Sequence, residues 1–413
     1  MTAVVGILNK QGIAVAADSA VTVSNPNNRK IYNSANKIFT LSKYHPVGVT
    51  IYNNASFLGI PWEVLIKEYR KQLGEKSFPK LNDYKQDFFR WLRKNNFFSN
   101  EADIDNFLFH DYISFLQALI SDIEKEGFEE TFLTLLDKYI NEEIPKHRTV
   151  EGLSDMEKVK VKDHVTKLTP KLIEILKEHF TFDEQKISQP LIEAYSEFLL
   201  HDQFLQFSGL VFVGYGEVEI FPGLIPVNVS IIVGDQLRYN TEDSKSAFIN
   251  NQNSACIRPF AQTDVIDTIL QGISPELSKM TSKVFGDFLQ SFLKEIKSID
   301  SIPQPVIHRL DNLNVQKYIQ DYNNKLDNII SEKYVGPLMD AVSQLSKEDL
   351  AEMAESLVYL TYLKRRFTMA EESVGGPVDI AVITKGDCFI WIKRKHYFDP
   401  NLNQNFFQKY FKP

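Results

Sequence analysis

The sequence predicts a single α+β domain in which two β-sheets pack face to face and helices cover their outer faces, a four-layer α-β-β-α sandwich. Strand-like and helix-like segments alternate in large blocks, in the order strands, helices, strands, helices, strands. No linker of distinct composition separates these blocks. Two independent domains are the alternative, but each of them would need strands from distant parts of the chain.

The first strand block covers about the first sixty residues. Residues 2–8 and 12–18 are short β-branched segments joined by the polar turn Asn-Lys-Gln-Gly, a pattern typical of a β-hairpin. Two more strand-like segments follow, KIFTLS and VGVTIY, with a polar turn that contains proline between them. This block therefore predicts four strands, the first two of them paired.

Two long helical blocks interrupt the strands, and we predict them as insertions at residues 62–205 and 264–369 of one domain that spans residues 1–413. In the first insertion, PWEVLIKEYRKQL has apolar residues at helical spacing and a proline in its first turn. In the second, SKEDLAEMAESLVYLTYLKRRF opens with a serine that is followed three residues later by an acid, the pattern of a capping box. Strands return around residues 207–257 and near the end of the chain.

Charge and hydropathy exclude several classes of partner. The formal net charge is −8, and no lysine-arginine run is dense enough for a nucleic-acid surface. The short run Lys393–Lys395 is interpreted as a solvated strand end. The most apolar stretch, residues 209–233, is broken by two glutamates and two prolines, so it does not predict a membrane span. Without a signal-peptide pattern at the start, a cytoplasmic protein is expected.

Metal and cofactor chemistry is not indicated by the pattern of ligand-type residues. The eight histidines show no metal-ligand spacing, and the two cysteines, Cys256 and Cys388, lie in unrelated contexts. We interpret these cysteines as thiols in a reducing compartment. No serine-nucleophile elbow is present either. We therefore expect no metal site and no cofactor.

Thr2 is the candidate nucleophile. Methionine aminopeptidases remove Met1 when the second residue is small, which would give Thr2 a free α-amine beside its own hydroxyl. A threonine hydroxyl needs a base at neutral pH, and an α-amine with a pKa of ~7.7–8.0 is a suitable one. Because Thr2 begins an apolar strand, we expect it to lie on a rigid sheet edge.

Asp18 and Lys37 are the candidates for the groups around Thr2. Asp18 ends the second strand of the hairpin, which would place its carboxylate beside Thr2, although a strand-ending turn residue is the simpler interpretation. Lys37 opens the third strand, where an ammonium near Asp18 would lower the effective pKa of the threonine hydroxyl and stabilise negative charge. An exposed lysine is the alternative, and Lys30 in the preceding loop is a weaker candidate.

Residues 2–23 resemble the mature N-terminus of proteasome β-subunits and of the bacterial proteasome-like protease. In these N-terminal nucleophile (Ntn) hydrolases a catalytic threonine begins an apolar hairpin and an aspartate follows sixteen positions later, as Thr2 and Asp18 do here. The family's catalytic lysine matches Lys37. The resemblance returns at residues 346–387, which are similar to the family's last helix, acidic loop, Gly-Gly pair and closing strands.

The resemblance also implies further site residues. The family's aspartate before the glycine pair matches Glu371, with Glu372 as the neighbouring candidate. The oxyanion turn of the family is rich in glycine, whereas this chain has Asn53 and Asn54 there, and asparagine tolerates positive φ. The family's serine before its third helix has no match; Gln262 and Thr263 are the residues at that place.

By resemblance, the protein is a threonine-type Ntn hydrolase that cleaves amide bonds, with a peptide or another amide as its substrate. The family implies a homo-oligomer, with a ring as one form. The aromatic tail that contains Phe406, Phe407, Tyr410 and Phe411 is expected to pack on this chain or a neighbour, and a docking motif for an ATPase partner stays open. Two alternatives remain: a small-molecule amidase, and an inactive structural or regulatory subunit.

Overall fold

The computed structural model describes residues 2–25, 28–95, 100–121, 123, 127–150, 155–234, 236–299, 302–368, 374–405 and 408. It is a mixed α/β structure with antiparallel sheets. The strands are β1 Ala3–Asn9, β2 Gly12–Ala17, β3 Val21–Asn25, β4 Asn28–Tyr32, β5 Ile38–Thr40, β6 Val47–Asn53, β7 Ser56–Phe57, β8 Ile60–Pro61, β9 Ser208–Gly214, β10 Gly223–Val233, β11 Gln236–Thr241, β12 Ala247–Phe248, β13 Ala255–Ala261, β14 Asp379–Thr384 and β15 Cys388–Lys393.

Helices occupy most of the remaining chain. The α-helices are α1 Trp62–Leu73, α2 Leu81–Lys94, α3 Glu101–Ile120, α4 Phe128–Lys138, α5 Asp155–Lys177, α6 Glu184–Leu200, α7 Asp264–Gln271, α8 Pro275–Lys297, α9 Gln304–Asp311, α10 Val315–Ile330, α11 Gly336–Ser343 and α12 Lys347–Phe367. Within the described residues, none of these helices is long and apolar enough to cross a membrane.

The first sheet has the strand order β13-β1-β2-β14-β15. Its centre is the β1–β2 hairpin, in which Asn9 pairs with Gly12 across the turn, so the predicted hairpin is confirmed. Every residue of these two strands is buried. Burial on both faces explains why their sequences are continuous apolar runs and do not alternate between apolar and polar residues.

The second sheet has the strand order β11-β10-β9-β6-β5, and β12 pairs with β10. One hydrophobic cluster takes side chains from both sheets. Its members from the first sheet include Val4, Val15 and Ile383, and those from the second include Val211 and Leu224. The two sheets therefore share an apolar interior, and this interior fixes how the ends of β2 and β5 lie relative to each other.

Each sheet also packs against helices. Val5 and Ile7 of the first sheet belong to one cluster with Val358 of α12. Phe212 of the second sheet belongs to another cluster that includes Trp62 of α1 and the helices up to α6. These contacts use the period-two alternation of the strands, because neighbouring residues of β1 point into different clusters.

Helix α12 begins as its sequence predicts. The side chain of Ser346 accepts a hydrogen bond from the backbone N–H of Asp349, and the Asp349 carboxylate accepts one from the backbone N–H of Ser346. This reciprocal pair is the predicted capping box.

One part of the first strand block differs from its sequence-based interpretation. Residues 21–32 form a separate hairpin, β3–β4, in which Val21 pairs with Tyr32. Lys30, which the sequence places in a loop, therefore lies in β4. The apolar pattern of this segment is weak, which is why it does not identify the strands. The aromatic tail residues Phe406, Phe407, Tyr410 and Phe411 lie outside the described residues.

Candidate active site

Thr2 is held in place at the start of the first sheet. It directly precedes β1, and only 3% of its surface is exposed. Its carbonyl oxygen accepts a hydrogen bond from the backbone N–H of Gln262 at 3.1 Å, and the next residue, Ala3, accepts one from the N–H of Asp18 at 3.1 Å. The second residue is therefore fixed by the strands on both of its sides, β13 and β2.

The carboxylate of Asp18 is the centre of the site. Oδ1 accepts hydrogen bonds from the backbone N–H of Ala3 at 2.9 Å and from Nζ of Lys37 at 2.6 Å. Oδ2 accepts from the N–H groups of Ala20 at 3.0 Å and of Gly375 at 3.1 Å. Asp18 is buried, and an arrangement of four donors around two oxygens matches an ionised carboxylate, which only accepts.

Lys37 forms a buried ion pair with Asp18. The side chains of Lys37 and Asp18 are 4% and 1% exposed. The carbonyl oxygen of Lys37 accepts a hydrogen bond from the N–H of Ile51 at 2.8 Å, which fixes the start of β5 against β6. Burial lowers the pKa of the Lys37 ammonium below its ordinary value, and the charge of Asp18 acts in the opposite direction. Desolvation is the larger effect, because an ammonium loses strong hydration on burial.

Of the two candidate lysines, only Lys37 contacts Asp18. Lys30 is exposed, and its ammonium lies 5.0 Å from the ring centroid of Tyr32. Lys30 is therefore occupied at the surface of the β3–β4 hairpin. In the part of the chain that the structure describes, no group of three or more histidine, cysteine, aspartate or glutamate side chains is placed to hold a metal ion.

The Gly-Gly segment lies directly against Asp18. Besides its bond from Gly375, the carboxylate is framed by Ser19, whose N–H donates to the carbonyl of Gly375 at 3.0 Å and whose hydroxyl donates to the carbonyl of Pro377. Gly376 has φ of 76°, and a Cβ there would lie 2.8 Å from Cβ of Asn33. Both the backbone conformation and the space therefore require glycine at this position.

The acidic candidates of this segment are not visible. Glu371 and Glu372 lie outside the described residues, and their role stays a prediction. Of the two residues considered for the missing serine, Gln262 is buried and contacts Thr2 through its backbone. Thr263 is the residue before α7.

The predicted oxyanion turn follows β6. Asn53 has φ of 66°, a conformation that asparagine adopts more readily than most residues. Its Nδ2 donates to the carbonyl of Phe207 at 2.9 Å, and Oδ1 of Asn54 accepts from the N–H of Ser56 at 3.2 Å. Both asparagines are exposed. A turn of this shape leaves backbone N–H groups at the end of β6, but the role of Asn53 and Asn54 in oxyanion binding stays a prediction.

A second ion pair lies beside the first, and sequence reasoning missed it. Asp379 pairs in register with Ala17, the residue before Asp18, and is 3% exposed. Its carboxylate accepts hydrogen bonds from Nζ of Lys395 and from the N–H of Lys395 at 2.9 Å. After burial and Asp18, the nearby charge of Lys395 lowers the pKa of Lys37 and that of Asp379 raises it.

This second pair corrects one interpretation of the sequence. Lys393 pairs with Glu355 at the surface, as a solvated strand end would, but the side chain of Lys395 is only 13% exposed. The signal available in the sequence is Asp379 itself, an acid next to the apolar run of β14. A buried carboxylate needs a partner, and the nearest unassigned cations are those that follow β15.

Comparison with known proteins adds likenesses of structure only. No protein-family model and no curated protein matches the chain. The chain is similar to three solved structures of Anbu. These are a mutant from Hyphomicrobium sp. strain MC1 (TM-score 0.29, 9% identity, 99% of this chain and 94% of that chain), the ancestral β-subunit from Yersinia bercovieri (0.28, 9%, 98% and 94%) and the helical assembly of the Anbu complex from Pseudomonas aeruginosa (0.28, 8%, 98% and 93%). At such low TM-scores, the function proposed below rests on the site itself.

Proposed function

We propose that this protein is a threonine-type N-terminal nucleophile hydrolase that cleaves amide bonds, with peptides as its substrate class, after removal of Met1. The observation that carries the proposal is the carboxylate of Asp18, which accepts hydrogen bonds from the backbone next to Thr2 and from the buried ammonium of Lys37. An acid, a lysine and a threonine that would carry a free amine are the groups that such catalysis needs.

In the proposed reaction, the neutral α-amine of Thr2 accepts the proton of the Thr2 hydroxyl as Oγ1 bonds to the substrate carbonyl carbon. The C–N bond of the tetrahedral intermediate then breaks, and the amine's extra proton goes to the leaving nitrogen. Water, deprotonated by the same amine, hydrolyses the ester that remains on Oγ1. This scheme balances protons over the cycle and needs no metal or cofactor.

The neighbouring groups support this chemistry electrostatically. The Lys37 ammonium stabilises negative charge that develops near Thr2, and Asp18 fixes the position of that ammonium. Backbone N–H groups at Asn53 or Asn54 bind the oxyanion, and Glu371 supports the loop that ends in the glycine pair. Buried charges are effective in this role because they do not have to reorganise during the reaction.

We propose the four-layer α-β-β-α Ntn arrangement for the whole chain, residues 1–413. The cluster shared by the two sheets and the helix clusters on their other faces support this arrangement. In it, residues 62–205 and 264–369 are helical insertions. A cytoplasmic homo-oligomer, with a ring as one form and an ATPase as a further partner, completes the proposal.

A small-molecule amidase is the second candidate, and one observation favours it. Thr2 is only 3% exposed, so the nucleophile has little room for a bulky substrate in this conformation. Removal of Met1 is needed before either substrate can reach the hydroxyl. Cleavage of short acyl amides but not of longer peptides would favour the amidase.

Covalent labelling tests the proposal. In purified protein, we expect intact-mass measurement to show loss of Met1, and a peptide epoxyketone or a β-lactone to form one adduct that maps to Thr2. The Thr2→Ala variant should form none, because it lacks the attacking hydroxyl. Retention of Met1, or wild-type protein that forms no adduct, would favour an inactive structural or regulatory subunit.

The second ion pair predicts opposite shifts in the pH dependence of labelling. Asp379→Asn removes a charge that raises the pKa of Lys37, so the rate of Thr2 labelling should begin to fall at a lower pH on the alkaline side. Lys395→Met removes a charge that lowers this pKa, so the fall should move to higher pH. The measurement is the labelling rate against pH for wild type and both variants. Shifts in the same direction would mean that the pair acts only on folding.

A further inference from the structure

Helices α8, α9 and α10 form a helical arm, defined here as residues 275–330. Among the described residues of this arm only Gly286 is buried. The two long helices pack on each other: the rings of Phe285 and Tyr322 stack at a centroid distance of 4.6 Å, and Ser282 donates to Asn323 at 2.6 Å. The arm therefore uses one face of α8 for internal packing and leaves the opposite face uncovered.

The uncovered face of α8 carries an apolar stripe. Its five members follow one another at spacings of three or four residues, which places them along one side of the helix. They are Leu277, Met280, Val284, Phe288 and Phe292, all exposed, with exposed fractions of 65% for Val284 and 61% for Phe288. A groove of about 610 Å³ runs along the stripe toward Tyr322 of α10. A contiguous apolar stripe of this kind is typical of an interaction surface.

Charged residues beside the stripe indicate what covers it. One flank, four residues apart along α8, carries Lys279 and Lys283 in the N-terminal half and Asp287 and Glu295 in the C-terminal half, and all four are exposed. When two identical helices pack antiparallel, each flank faces the same flank of its partner with the halves exchanged. Each basic half would then face an acidic half, so the flank is complementary to itself.

We propose that the stripe pairs with the same stripe of a second copy of this chain, in an antiparallel arrangement around a two-fold axis. With the axis passing between Val284 and Phe288, each Val284 meets the partner's Phe288, and each Met280 meets the partner's Phe292. Five large apolar side chains, at about 150–250 Å² each for a fully buried aromatic one and half exposed here, offer roughly 500 Å² per arm. The pair then buries about 1,000 Å², which is near the lower limit of specific interfaces.

This pairing is tested on the full chain by sedimentation velocity over a range of concentrations. We expect wild type to self-associate, and Val284→Glu to weaken this association about tenfold or more, because it buries an unpaired charge in the stripe. Val218→Glu is the matched control, since Val218 is 67% exposed outside the arm and its substitution should leave association unchanged. A monomeric wild type, or association that Val284→Glu does not alter, would overturn the proposal.

Charge reversal separates a second copy from any other partner. Lys283→Glu alone and Asp287→Lys alone should each weaken association, because each places like charges opposite one another. The combined Lys283→Glu, Asp287→Lys variant should recover it, since two copies then present exchanged but complementary charges. Failure of the combined variant to recover would overturn the antiparallel self-pair. These measurements need no catalysis, so they stand whether or not Thr2 is active.

Discussion

Replacing Thr2 with alanine is expected to reduce amide hydrolysis by on the order of 10⁴-fold or more, as loss of a covalent nucleophile does in other hydrolases. The substitution removes only the hydroxyl and one methyl group. The α-amine, the Asp18–Lys37 pair and the backbone bond from Gln262 would remain, so the fold should persist. The measurement is turnover of a fluorogenic peptide amide by protein whose Met1 is shown to be removed.

Thr2→Ser is the matched control for this result. Serine keeps the hydroxyl beside the amine, so it should retain a substantial fraction of the activity and still form the covalent adduct. Equal activity in wild type and Thr2→Ala would show that the hydrolysis comes from another group or from a contaminant. Loss of activity in Thr2→Ser together with a lower unfolding midpoint would instead show that the methyl group is needed for packing.

Asp18→Asn is expected to lower the free energy of unfolding by about 3–5 kcal/mol, because it leaves the buried ammonium of Lys37 without its counter-charge. It also weakens the bonds that Asp18 accepts from the N–H groups of Ala3 and Gly375. Chemical denaturation, analysed with the slope against denaturant concentration held in view, gives the change in stability. Activity and labelling should be lost as well.

The double variant Asp18→Asn, Lys37→Met is the control for the charge effect. It removes both charges, so it should be more stable than Asp18→Asn alone even though it carries one more substitution. If the double variant were the less stable of the two, the pair would not be what stabilises this end of the sheet.

The pH dependence of Asp18→Asn follows from the same ion pair. Burial already lowers the pKa of Lys37, and loss of Asp18 lowers it further. Between this folded-state pKa and the ordinary lysine value, the unfolded chain binds more protons than the folded one, so stability rises with pH in this window. The loss of stability relative to wild type should therefore be smaller at alkaline pH than at neutral pH.

The parts of the site that the sequence predicts are those set by short-range geometry. A two-residue turn and two β-branched runs are enough to bring Asp18 back to the start of β1, where Ala3 donates to it. Lys37 follows because it begins the next strand of the second sheet and its carbonyl is bound by Ile51. Each of these relations depends on a local pattern that elementary strand geometry can extend.

Other parts depend on tertiary contacts that no local pattern reports. The β3–β4 hairpin lacks a strong apolar alternation, so it was not predicted. The pairing of Asp379 with Lys395 becomes visible only once β14 lies beside β2 in its register with Ala17. The outward direction of the α8 stripe is equally invisible in sequence, because an apolar stripe at helical spacing predicts burial whether the cover is the same chain or another one.

The bond from Gly375 to Asp18 joins two residues that are 357 positions apart in the chain. Since a polypeptide leaves the ribosome from its N-terminus, the hairpin that carries Thr2 and Asp18 emerges long before this donor exists. The nascent chain therefore carries an incomplete centre for nearly the whole of its synthesis. Order at this carboxylate is completed only when the closing strands arrive, which couples the appearance of a competent nucleophile to the end of translation.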